Sequence, residues 1–137
     1  MKTIVINSMD DAEKYYNANT NTYIFSENGE RCNVKIKMKK FSCAHNIIVR
    51  NIDALDIVAG DIDAWNIDVW DIDAQNINAY DIYAQNIDAN DISYYAVCIA
   101  RQNIVCHKIH GRREDSVHMA LDGTVRTGIT KEMPSND

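Results

Sequence analysis

Proline is almost absent: the single one, Pro134, lies in the C-terminal tail, so nothing upstream of it interrupts the pairing of backbone N–H groups in a sheet. No run of 18 or more apolar residues occurs, so no helical membrane span is expected. The apolar start Met1-Lys2-Thr3-Ile4-Val5-Ile6 turns polar at Asn7, too soon for a signal-peptide core. A cytoplasmic protein is therefore expected, with Cys32, Cys43, Cys98 and Cys106 reduced. There is no nucleotide-binding glycine loop, no nucleophile elbow and no plausible Ser-His-Asp set, so no catalytic residue is assigned and no enzyme is expected. Charge is also missing by region. Between Asn51 and Tyr95 there are ten Asp and no Lys or Arg, whereas residues 31–50 hold six basic side chains and no acid. Residues 101–113 add four more basic side chains. The net charge of −6 thus hides an acidic middle between basic flanks, a pattern that bears on partners more than on fold.

What is present is a period of five. Asn or Asp followed by Ile recurs nine times, from Asn51-Ile52 through Asp56-Ile57, Asp61-Ile62 and onward to Asp91-Ile92. A small apolar residue follows two positions after most of these Ile, as at Ala54, Ala59, Ala64, Val69 and Ala74. Neither a helix nor a simple strand has this period, so the chain must turn once per repeat. In an extended segment Ile and the small residue two positions on share a side and point inward. The residue between them points out, and Asn or Asp serve the corner through local backbone bonds. Parallel stacking of coils about 4.8 Å apart then satisfies the backbone. Two coil sizes fit. A 20-residue coil stacks Asp61 on Asp81 and Asp71 on Asp91, while a 15-residue coil stacks Asp61 on Asn76 and aligns Trp65, Tyr80 and Tyr95, at the expense of Asp56 over Asp71.

The chain divides into residues 1–45, 46–111 and 112–137. The first reads as a small α+β cap: a strand at 3–6, a helix capped by Ser8 and reaching about Tyr16, a strand at 22–25, a turn at Asn28-Gly29, and an alternating strand from Asn33 to Met38 with Lys35 and Lys37 outward. The second, starting at Asn46-Ile47, is the repeat, with about two residues inserted near Tyr94-Tyr95-Ala96. In the third, Leu121-Asp122-Gly123-Thr124-Val125 signals a hairpin, and a frayed tail is expected from about Lys131.

Over residues 46–111 the Asn/Asp-Ile repeat resembles the pentapeptide-repeat family, closest to short phage and firmicute members. The resemblance implies an all-β, single-stranded right-handed parallel β-helix. The usual family repeat sets the small residue two before the central aliphatic; here that position holds Leu55, Gly60, Trp65, Trp70, Gln75, Tyr80, Gln85 and Asn90. The family includes DNA mimics that bind DNA gyrase, which implies a non-enzymatic inhibitor of a DNA- or RNA-handling protein, such as a topoisomerase or a host defence nuclease. The expected contact face comprises Asp53, Asp63, Asp68, Asp73 and Asp88 with Trp65, Trp70, Tyr80 and Tyr83. Tyr94 and Tyr95 are expected to face outward as well. Arg112 and Arg113 are candidate basic contacts. The partner would carry a basic nucleic-acid-binding surface; neither direct DNA binding, nor a membrane, nor a cofactor is expected. Cys98, Cys106, His107, His110 and His118 match no standard zinc spacing, so no metal is assigned. The Lys35, Lys37, Lys39, Lys40 stripe reads either as a nucleic-acid contact or as the protection of an edge strand. The alternative function is a structural module that dimerises or polymerises through the ends of the coil.

Overall fold

The computed structural model describes residues 3–130. Its strands wind into a parallel β-helix of about six turns. Register settles the coil size at 15 residues: Ile47, Ile62 and Ile77 align on one face, Ile52, Ile67 and Ile82 on the next, and Ile57, Ile72 and Ile87 on the third. The coil is triangular, so the 20-residue alternative does not form. Face I carries the five-residue units that begin at Asn51, Asn66 and Asp81. Face II carries those from Asp56, Asp71 and Asn86, and face III those from Asn46, Asp61, Asn76 and Asp91.

Three sides of five residues leave a narrow interior, and the alternation of Ile with a small residue fills it. Every repeat Ile from Ile52 to Ile92 is at most 2% exposed. Ala54, Ala59, Ala64, Val69, Ala74, Ala79 and Ala89 are buried beside them, and Ala84 is partly buried. The bulky residues at the off-phase position stand at corners, which explains how Trp and Tyr coexist with so thin a core. Burying each Ile contributes roughly 1.5–3 kcal/mol before chain entropy is set against it. The ladder continues through the corners, as in Trp65 N–H to Arg50 O at 2.7 Å and Asn90 N–H to Gln75 O at 2.7 Å. The corner side chains join in. Asn66 Nδ2 donates to Asn51 Oδ1 at 2.8 Å, Asn76 Nδ2 to Asp61 Oδ1 at 2.9 Å and Asn86 Nδ2 to Asp71 Oδ1 at 3.1 Å. An amide thus sits over a carboxylate in two of these three steps.

The N-terminal segment has the expected α+β content, but its strands continue the stack. Thr3–Ile6 pairs in parallel with Asn33–Ile36, which pairs with Asn51–Val58. The strand that carries Lys35 therefore lies inside the sheet, whereas Lys40 is on Lys40–Ser42, which among the described residues pairs only with Asn51–Val58. Ser8 caps a helix of Met9–Glu13, shorter than expected, because Tyr16 is already in a strand paired with Tyr23. Asn28 and Gly29, both at positive φ, turn the hairpin between Ser26–Glu27 and Glu30–Arg31. Phe25 and Phe41, the only phenylalanines, pack with Tyr23 to plug this irregular end.

The two extra residues are accommodated separately. The register with Asn76–Asp88 slips by one between Tyr94 and Val97, and by one more between Ala100 and Asn103. The expected hairpin after Gly111 does not form. Val117–Ala120 and Val125–Arg126 both pair in parallel with Asp91–Val105, and Leu121–Thr124 merely turns the corner between them. Two ready ladder edges on the preceding coil outbid one antiparallel turn. Gly123 is required at that corner, since a Cβ would lie 2.0 Å from Gln102 O. The tail from Lys131 lies outside the described residues.

Candidate functional site

The winding decides which outward side chains are neighbours. Residues five apart lie on successive faces, so the five candidate aspartates do not form one face. Asp53 and Asp68 stack on face I, Asp73 and Asp88 on face II, and Asp63 lies on face III. All ten Asp of the middle are at least partly exposed. Together they form a belt around the whole rod. Three pairs stack in register, Asp53 with Asp68, Asp56 with Asp71 and Asp73 with Asp88. Basic residues meet this belt at its borders: Lys35 is in register with Asp53, Lys40 with Asp56 and Lys108 with Asp91. Asp63 is engaged by Arg31 through two bonds, at 3.1 and 3.3 Å.

The exposed apolar residues are segregated. Val5, Tyr83, Val117 and Met119 lie on face I itself. Leu55, Trp70 and Leu121 line its corner with face II, and Trp65, Tyr80 and Tyr95 its corner with face III. Every large exposed hydrophobic among the described residues belongs to face I or its two edges. The alignment of Trp65, Tyr80 and Tyr95 that a 15-residue coil entails is present, with ring centroids 5.9 Å apart at each step. Cations close the ladder at both ends: Arg50 lies 4.6 Å from the Trp65 ring and Arg113 lies 5.5 Å from that of Tyr95. Arg50 was missed from sequence, although its 15-residue spacing from Trp65 carries the signal.

Tyr94 is the outlier. It was expected outward but occupies the small-residue column, above Ala79 and below Gly111, and is 1% exposed. Its hydroxyl meets His118 Nδ1 at 2.8 Å, and Gly111 leaves the room for it. Arg112 is a clamp. It donates to Asn78 Oδ1, Ser93 Oγ and Ala79 O at 2.7–2.8 Å, so three of its five N–H groups are engaged within the chain. Arg113 pairs with Asp115 beside Tyr95.

A shallow cleft of about 320 Å³ opens on face I between Trp70 and Tyr83, with Asp68 at its side and Arg101 on its far wall. Arg101 leans toward Asp122, 3.8 Å away. No group of three or more His, Cys, Asp or Glu among the described residues could hold a metal. Cys98 and Cys106 point into the core. Burial pushes the Cys98 thiol up to about 12, with a smaller push from Cys106, and burial followed by Asp91 raises Cys106. Both are thus protonated and poor ligands at neutral pH. No described helix is long and apolar enough to cross a membrane. No protein-family model, curated protein or solved structure matches the chain.

Proposed function

We propose that this chain is a non-enzymatic binding protein whose acidic belt engages the basic, nucleic-acid-binding surface of another protein and inhibits it. One observation carries the reading: the density of charge along the rod. Three coils of about 4.8 Å hold ten Asp and no Lys or Arg, roughly one charge per 1.4 Å, or one per 1.6 Å if Asp63 is neutralised by Arg31. Duplex DNA carries about one per 1.7 Å. The three in-register Asp pairs support the same reading, because like charges directly opposite are destabilising and other repeats place uncharged Asn at the same outward and corner positions, as at Asn78 and Asn86. The belt spans only about 15 Å, or four to five base pairs of rise at about 3.4 Å each.

The test is displacement of labelled duplex DNA from DNA gyrase and from a panel of other basic nucleic-acid-binding proteins. A true mimic displaces DNA from at least one of them and weakens tenfold or more between about 50 and 200 mM salt. Changing Asp53, Asp68, Asp73 and Asp88 together to Asn abolishes the effect; displacement that survives that change refutes the proposal.

A second reading rests on the C-terminal end. Lys108–Gly111, Val117–Ala120 and Val125–Arg126 each pair only with Asp91–Val105, so among the described residues their outer edges carry no strand. Open parallel edges invite end-to-end assembly. A monomeric mass by light scattering at high concentration excludes it.

A further inference from the structure

Face I and the belt do different things. The belt surrounds the rod and cannot by itself choose a docking side, whereas the exposed apolar groups favour one side only. We infer that face I docks a projecting, cationic segment of a protein partner, with an arginine entering the cleft between Trp70 and Tyr83 to pair with Asp68 and apolar side chains flanking it. This rests on the reading of the chain as a binder of basic protein surfaces, and it names where contact is made.

Four observations converge on that occupant. Asp68 is exposed, and among the described residues it has no side-chain hydrogen bond or ion pair. It stands one rung from Tyr83 in the same outward column, with Trp70 two residues along its own strand. A guanidinium stacks on aromatic faces and pairs with a carboxylate in one geometry, which matches the combination of groups around the cleft. The one cation lining the cleft, Arg101, has its nearest carboxylate in Asp122, 3.8 Å away and outside the cleft lining, and makes no ion pair with Asp68. Face I has seven rungs and is five residues wide, roughly 30 by 16 Å or about 500 Å² in plan, below the ~800 Å² per side of a standard interface. That extent suits a single segment. A second copy packed at equal height would set Asp53 on Asp53 and Asp68 on Asp68.

The probe is a labelled twelve-residue peptide of alternating Arg and Leu, with Arg-to-Glu and Leu-to-Ser versions as controls. It is titrated into the full chain and followed by anisotropy and by amide and indole NMR shifts. The expected result is that shifts cluster at Trp70, Tyr83 and Leu55 and that both control peptides bind at least tenfold more weakly. Trp70→Ala raises Kd tenfold or more and Asp68→Asn threefold or more, while Trp70→Phe retains most of the affinity, which separates contact from folding. Asp73→Asn with Asp88→Asn on face II changes Kd less than Asp68→Asn does. Shifts spread evenly over all three faces, or an unchanged Kd in Trp70→Ala, overturn the docking face yet leave the belt intact. Loss of affinity confined to Trp70 variants, with every Asp variant neutral, overturns the pairing with Asp68 and the belt together. Face I signals that broaden with concentration in a sedimenting dimer, or binding to phosphatidylcholine vesicles without binding to the peptide, assign the face to a second copy or a lipid surface and also overturn it.

Discussion

Faces I and II share one backbone design and differ in almost everything they show to solvent. Both put Ile and a small residue inward at the same spacing: Ile67 with Val69 on face I, Ile72 with Ala74 on face II. Outside, face I carries Trp70, Tyr83 and Leu55 around three aspartates, Asp53, Asp68 and Asp81, while face II carries four, Asp56, Asp71, Asp73 and Asp88, and no exposed large hydrophobic among the described residues. Since the inner halves are equivalent, the outer difference is not a demand of the fold. That is the main reason to assign it to recognition, with steering spread over the belt and contact concentrated on face I.

The comparison can be broken first from inside. Ile67→Ala and Ile72→Ala each empty the same column position on different faces, so each is expected to cost about 3 kcal/mol in urea unfolding, within the 2–5 kcal/mol range for such truncations. A difference much beyond 1 kcal/mol between them would mean the faces are not equivalent supports. Next comes the alkaline limb. Cys98 continues the face I column above Ile82, where burial pushes its thiol up to about 12 from the ordinary 9.0. A raised acid pKa gives stability that is complete below the unfolded value and lost as pH climbs toward the folded one. The wild type should lose about 2 kcal/mol more than Cys98→Val between pH 8 and about 10.5, read as the difference between their unfolding curves. Tyr80→Ala removes both ring contacts at the edge of face I and should cost about 1–2 kcal/mol, visible as a lowered Tm and a changed Trp65 emission. The smallest effect separates the outsides. Asp73→Asn relieves the stack with Asp88 on face II and should stabilise by a few tenths of a kcal/mol, more at low salt than at high.

Much of this was legible in the chain. The five-residue period forces a turn per repeat, and the Ile and small-residue pair at i and i+2 fixes what points inward. Both follow from backbone geometry alone, and the core follows them from Ile47 to Ile92. The misses share a cause. Tyr94 was misjudged although it stands two residues after Ile92: its bulk argued against the small-residue column, and the room for it comes from Gly111 one coil later. The hairpin was misjudged because Gly123 reads as a tight turn whether the strand beyond it returns beside its predecessor or moves on to the next face. The five aspartates were grouped on one face because each follows a repeat Ile and points outward, but successive repeats turn to successive faces, so a shared place in the repeat is not a shared side.

By itself the sequence determined that the ribbon winds, which atoms it hides, and that its middle holds carboxylates without compensating cations, because these depend on the residue and its immediate neighbours. Only the tertiary structure decided that a coil takes three corners. A period of five permits three or four, and the choice falls to how much side-chain volume the interior holds and which corner amides meet a partner 15 residues away. That choice gathered Trp70, Tyr83 and Leu55 on one side and spread the negative charge over all three.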